Sequence, residues 1–409
     1  MTSAVPTALI PRGRVSYIDT LDSYQQMIER IASLEGPCAI DVERAHGYRY
    51  STRAYLVQIK RGDEIFLIDP IRLGSRHREA DLSALYEAIG HQTWIFHAGQ
   101  YDLANLRALQ MPIRTIFDSE ISGRLLGFDK VNLASMVERC CGYHLEKRYS
   151  AVNWSVRPLK KSWLDYASLD VDFLIDMRSE LLTQLEQSHR LEWAYQEFEW
   201  IVEKTSRPPR IDEESWRKLS GLHQLKSRRA LAFAKGLWES RDRLALRLNK
   251  NPSRILSDHA IVDLAIGAAD NPSSFSDLLE QIPAFSAPLA RRYRQRWLSD
   301  LRRLDTLPSY RWPQRHRPRV PIPKSVRSWK QVNPQAALHW EKICPAIDEL
   351  ACDLGIERSL LISPAAFKDF VWNFDRLNDR TSQEEHLQRL DVRPWQRDLL
   401  IETIASISL

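Results

Sequence analysis

Cysteine is scarce: five residues in 409, an odd number, with no CxxC spacing. That excludes a disulfide framework and offers no zinc-ribbon pattern. The adjacent pair Cys140-Cys141 falls on an apolar helical stretch and reads as two buried structural thiols. A reducing, cytoplasmic setting is therefore expected. No apolar run approaches the roughly 20 residues that span a bilayer, so no membrane partner is expected. Met1 to Arg14 contain neither an apolar signal core nor a cleavage pattern, and no secretory targeting is expected. A GxxxxGK[ST] phosphate loop is missing, which removes the P-loop motors from consideration. Repeats of short fixed period are missing too.

What is there is the composition of a soluble globular protein, long enough for two or three domains. Charge is unevenly spread. Residues 1–205 hold 24 Lys/Arg against 28 Asp/Glu, residues 206–330 hold 26 against 12, and residues 331–409 hold 8 against 13. A net charge of +14 in the middle of an otherwise acidic chain suggests a surface for a phosphate backbone. A solvated, Arg-rich helical surface would have the same count.

Apolar patterning predicts strands at 15–18, 38–43, 54–60, 64–68 and 94–97. Thr20 is the expected N-cap of a helix to about Leu34, and Arg61-Gly62-Asp63 is a tight turn within a β-meander. Helices are predicted near 80–89 and 100–109, then at 118–126, 132–141, 161–186 and 189–204. Residues 1–205 thus read as an α/β domain, a mixed sheet of about five strands flanked by helices. Pro208-Pro209 ends it. Residues 206–290 read as an all-helical domain, with helices at 224–248 and 258–267. Residues 291–328 include the end of an Arg-rich helix (288–303) and a linker with Pro308, Pro313, Pro318, Pro321 and Pro323 among Arg311, Arg315, Arg317 and Arg319. Residues 329–409 form a second helical domain, with Pro364 and Pro394 at first-turn positions.

The strand Cys38-Ala39-Ile40-Asp41-Val42-Glu43 carries two carboxylates on one face, because side chains alternate along a strand. Side by side they repel unless a cation or proton intervenes. Asp102 follows the strand 94–97. Tyr166 and Asp170 stand i and i+4 on one helical face, with Ala167, Val171 and Leu174 as the stripe that docks the helix. Carboxylates converging from a strand and two helices suit hard divalent cations, Mg²⁺ or Mn²⁺. Two such ions about 3.5–4 Å apart clamp the attacking and leaving oxygens of a phosphodiester displacement. Tyr166, one turn before a ligand, is placed to hold the nucleophilic water.

Together, Asp41-Val42-Glu43, the stretch His97 to Asp102, and Tyr166-Ala-Ser-Leu-Asp170 resemble the three exonuclease motifs of the DEDD superfamily, in its tyrosine-containing branch. Tyr55-Leu-Val-Gln-Ile59, His97-Ala98 and Asn153-Trp-Ser-Val-Arg-Pro-Leu159 narrow the resemblance to the bacterial ribonuclease D family. Residues 212–283, with Arg228-Arg-Ala-Leu231 and the helix through Trp238, resemble an HRDC domain (helicase and RNase D C-terminal), and 329–409 a second HRDC-like unit. The resemblance implies a ribonuclease H-like fold. Asp41, Glu43 and Asp170 would bind the ion that activates water, and Asp41 would bridge to a second ion held by Asp102. Tyr166 would orient the water. The implied activity is 3′→5′ hydrolysis of RNA to 5′-mononucleotides, with trimming of tRNA precursors and other structured RNA 3′ ends. Ala98 stands where some relatives have Asn, and Asn153 where relatives often have Asp.

Other residues have competing readings. Lys147, Arg148, Trp154 and Arg157 could hold an RNA 3′ end by phosphate contact and stacking, or Trp154 could pack within its own domain. His97 reads as a structural strand-end histidine rather than a general base. Arg228, Arg229, Lys235, Arg241, Arg243 and Arg247 share one long helix, so only some can face RNA. The alternatives to an exoribonuclease are a DNA 3′→5′ exonuclease with an identical site, since 2′-hydroxyl contacts and not phosphodiester chemistry distinguish the sugars, and a non-catalytic RNA-binding protein.

Overall fold

The computed structural model describes residues 6–75, 78–146, 149, 151–207, 212–270, 274–315, 322–323 and 325–407. Lys147, Arg148, the Pro208-Pro209 boundary, Arg317, Pro318, Arg319 and Pro321 lie outside the described residues. The strands are β1 (Thr7–Ala8), β2 (Arg14–Ile18), β3 (Cys38–Glu43), β4 (Leu56–Arg61), β5 (Glu64–Ile68), β6 (Trp94–Phe96), β7 (Ile116–Asp118) and β8 (His144–Leu145). Six form a mixed sheet in the order β2-β5-β4-β3-β6-β7, while β1 pairs with β8.

The meander β3-β4-β5 is antiparallel and turns at Gly62, whose φ of +54° a side chain would resist. β4 and β5 are buried along their whole length; β5 is nearly all apolar, whereas β4 buries Gln58, Lys60 and Arg61 beside Leu56, Val57 and Ile59. β6 runs parallel to β3 but pairs only with Cys38 and Ala39, so Asp41 and Glu43 project past its end. Thr20 caps the helix Leu21–Ala32 in a reciprocal capping box with Ser23.

Three expectations are corrected. The sheet has six strands rather than about five, because β7 is three residues long, too short for its alternation to register. Asp118, expected to open a helix, ends β7 and caps the helix Ser119–Leu125. The single helix over 161–186 is two, Lys161–Asp172 and Leu174–Gln187, so Leu174 belongs to the second. At the break, the backbone carbonyl of Asp172 accepts from the side chains of Arg12 and Lys60, which satisfies a helix-end carbonyl.

The described residues fall into two compact units, one drawn from 1–44, 53–208 and 321–409, the other from 45–52 and 209–320. In the first unit the C-terminal helices close on the helix Leu191–Ser206. Trp193 stacks on Trp395 with centroids 4.6 Å apart, and buried Glu197 accepts from Arg393 Nε (2.7 Å) and Trp395 Nε1 (2.8 Å). Pro364 and Pro394 occupy first-turn positions. In the second unit the helix Arg228–Leu248 is the spine of a core that includes Trp216, Phe233, Ile261 and Trp297. The loop 45–52 joins this unit through Tyr50, which donates to Asp242 (2.9 Å), and the Ser51 amide, which donates to Asn249 (2.9 Å). The basic residues of the spine differ in role. Arg228 donates to the Trp312 carbonyl, Arg229 pairs with Asp305, and buried Arg241 holds the Leu256 carbonyl and Asp258. Arg243 and Arg247 are exposed.

Candidate active site

Three elements carry the site, each aligned by a separate device. β3 is central in the sheet, and its alternation buries Ile40 and Val42 while leaving Asp41 and Glu43 half-buried on the other face. β3 and β6 are parallel, so the chain leaving β6 starts at the same end of the sheet as those carboxylates, the edge where α/β sheets receive ligands.

The chain after β6 must turn at once, and Asp118 holds that turn. Its carboxylate, fully buried, accepts the amides of Ala98 (3.3 Å) and Gly99 (2.8 Å), as well as those of Glu120 and Ile121 in its own helix. Ala98 sits in the left-handed region at φ +61°, and a Cβ on Gly99 would lie 2.5 Å from the Phe96 ring. A short 3₁₀ turn, Gly99–Tyr101, then delivers Asp102 to the start of the helix Leu103–Ala108. Left-handed backbone is a conformation that Asn accepts better than Ala.

The helix Lys161–Asp172 brings Tyr166 and Asp170. Its last residue, Asp172, is buried between Lys60 of β4 (2.8 Å) and the backbone amide of Arg12 (2.9 Å), which pins the helix to the sheet two residues beyond Asp170. Tyr149 meets the Tyr166 ring edge-on, with centroids 5.8 Å apart.

These devices bring one carboxylate oxygen each from Asp41, Glu43 and Asp170 within 4.8 Å of one another. Asp102 stands outside that trio but close enough to share its field. Its Oδ1 is buried and accepts no hydrogen bond among the described residues, and Arg44 Nη2 lies 3.6 Å from it. Burial, then the charge of Asp41, holds both Asp102 and Asp170 well above the usual carboxylate range. Glu43 is raised by burial and then by Asp41, Asp170 and Asp102; Asp41 is raised by burial. Clustered half-buried carboxylates that resist ionisation, one with an unpartnered oxygen, fit a hard divalent cation, whose charge removes the cause of the shifts.

The remaining candidates divide plainly. Burial, then Asp170 and Glu43, pushes the Tyr166 phenol well above its ordinary value. His97 is held down to about 4 by burial, and its Nδ1 meets Ser119 Oγ at 2.9 Å, in keeping with a structural histidine. Trp154 is buried and packs on Trp163. Arg157 does not face open solvent as an RNA contact would: it grips buried Asp69 through Nε (2.5 Å) and Nη2 (2.8 Å) and donates to the Tyr55 carbonyl. Cys140 and Cys141 are free thiols, only partly buried. Sequence reasoning passed over Asp118 and Arg44. An acidic residue between a strand and a helix is an ordinary N-cap, and nothing local marks Arg44.

Residues 15–186 match the family model described as 3′-5′ exonuclease, and residues 322–407 match that of a 3′ to 5′ exonuclease C-terminal domain. The chain is 31% identical over 244 residues to Ribonuclease D of Bartonella henselae, covering 58% of this chain and 57% of that protein. To Ribonuclease D of a Shewanella species it is 29% identical over 245 residues, covering 59% and 60%. The chain thus spans less than two thirds of the length of these curated relatives. Among solved structures, a protein from Bifidobacterium adolescentis superposes with a TM-score of 0.87 at 29% identity over 98% of both chains. Escherichia coli RNase D shares the fold, with a TM-score of 0.66 at 21% identity over 96% of this chain and 98% of that one. Residues 15–186 thus carry a mixed sheet and an acidic trio within a matched 3′-5′ exonuclease domain, and over about three fifths of its length the chain is similar to bacterial ribonuclease D.

Proposed function

We propose that the protein is a metal-dependent 3′→5′ exoribonuclease of the ribonuclease D type, releasing 5′-mononucleotides from RNA 3′ ends. The observation that carries this reading is the convergence of Asp41, Glu43 and Asp170, with Tyr166 one helical turn before Asp170. Asp41, Glu43 and Asp170 would hold one divalent ion, and Asp41 with Asp102 a second, Mg²⁺ or Mn²⁺. Such ions supply Lewis-acid neutralisation of the phosphodiester and a more acidic water. The protein's own contribution is to orient. The Tyr166 hydroxyl, one helical turn before Asp170, would hold the attacking water as a hydrogen-bond partner.

The helical part drawn from 206–290 would serve as an HRDC-type module, with a basic extension at 291–328 and an HRDC-like segment at 329–409. Exposed Arg243 and Arg247 are its candidates for phosphate contact. Precursor tRNA and other structured RNA 3′ ends, processed in the cytoplasm, are the proposed substrates.

Incubating the full chain and its Asp41→Asn variant with Mg²⁺ and 5′-labelled RNA or DNA tests the reading. Stepwise shortening of RNA by the wild type alone is expected. No metal-dependent release of mononucleotides would overturn it, and faster digestion of DNA would transfer the activity to DNA. Tyr166→Phe is expected to depress turnover while leaving metal affinity in place.

A further inference from the structure

Arg44 follows Glu43 at the end of β3, and its guanidinium is turned toward Asp102. Nη1 donates to the Tyr101 carbonyl at 2.6 Å, and the guanidinium lies 5.9 Å from the Tyr101 ring. Nη2 stands 3.6 Å from Asp102 Oδ1, the buried oxygen that accepts no hydrogen bond among the described residues. At that separation the pair is held by charge and not by a formed hydrogen bond.

We propose that Arg44 is a positioning residue that competes with a divalent cation for the Asp102 oxygen and so sets how readily the ion nearest Asp102 binds. Both are positive and both are drawn to the same buried carboxylate, so the ion must displace the guanidinium from it. The Tyr101 carbonyl keeps the displaced group beside the site. Asp41, Glu43 and Asp170 are not bonded to Arg44, so the ion held by that trio feels it only at longer range. This inference rests on the two-ion reading above, and its test separates the two.

The measurement is Mn²⁺ binding to the full-length protein, followed by the electron paramagnetic resonance of free Mn²⁺, for the wild type, Arg44→Gln, Arg44→Met and Asp102→Asn. The wild type is expected to bind one tighter and one weaker ion, and Asp102→Asn to lose the weaker. In both Arg44 variants the weaker ion is expected to bind at least about threefold tighter, as a like charge is removed nearby, while the tighter ion changes less. Two neutral replacements of different polarity guard against a folding artefact in either one, and circular dichroism checks that each is folded. Two ions in the wild type with no tightening in folded Arg44 variants would overturn the role of Arg44 alone. Fewer than two ions in the wild type would overturn the two-ion reading, and this inference with it.

Discussion

The carboxylate of Asp118 accepts the backbone amide of Gly99 at 2.8 Å, tying the end of β7 to the turn that presents Asp102. A residue sixteen positions downstream thus controls where a site carboxylate stands. Removing it in Asp118→Ala strips a helix cap and leaves buried amides unpaired, at a cost of about 2–4 kcal/mol. Urea denaturation should register that loss, and Mn²⁺ titration should register weaker binding at Asp102 in the protein that remains folded. Unchanged metal affinity would mean that the turn keeps its shape without Asp118.

The same turn makes opposite demands on two neighbours. Ala98 adopts φ +61° and ψ +40°, so Ala98→Asn should stabilise the protein by roughly 0.5–1 kcal/mol, whereas Ala98→Val should destabilise it. Gly99→Ala would drive a methyl into the Phe96 ring and should be clearly destabilising. Chemical denaturation of the three variants checks the order.

Arg157 belongs to the interior of the first unit. Asp69 is fully buried, and Tyr17 also donates to it at 2.5 Å. Arg157→Ala leaves that carboxylate without its cation and should cost about 3–5 kcal/mol. RNA affinity, measured by filter binding at a temperature where the variant is folded, should be unchanged. Weakened RNA binding at full stability would return Arg157 to the substrate.

The acidic cluster fixes the sign of the pH response. Asp41, Glu43, Asp102 and Asp170 have folded values raised above their unfolded ones, near 4. Their contribution is favourable below that value and is lost as pH rises through the raised ones, because the folded state holds protons that the unfolded state has released. Chelator-treated protein should therefore melt at a lower temperature at pH 8 than at pH 5. Mg²⁺ should narrow or reverse the difference, because its binding needs ionised ligands, and at 100 times its dissociation constant it adds about 2.7 kcal/mol. Melting temperatures that rise with pH in chelator would contradict this account.

Much of the site was legible from local periodicity. Alternation along β3 puts Asp41 and Glu43 on one face, and the helical period stacks Tyr166 over Asp170; both follow from covalent geometry and need no tertiary knowledge. The strand β5 was equally legible, because a strand covered on both faces is written in nearly continuous apolar residues, here Ile65 to Ile68. What tertiary structure alone decided are the partnerships of charged groups far apart in the chain. Arg157 and Asp69 are 88 residues apart, and Asp172 meets Lys60 across 112. Whether an arginine is buried in such a pair, turned toward Asp102 like Arg44 or exposed like Arg243 depends on which surfaces the fold brings together. A long flexible side chain carries no local signal of its partner. The contacts of Arg12 and Lys60 to the Asp172 carbonyl, at the break between the two helices, are of the same kind, since they too join residues far apart in the chain.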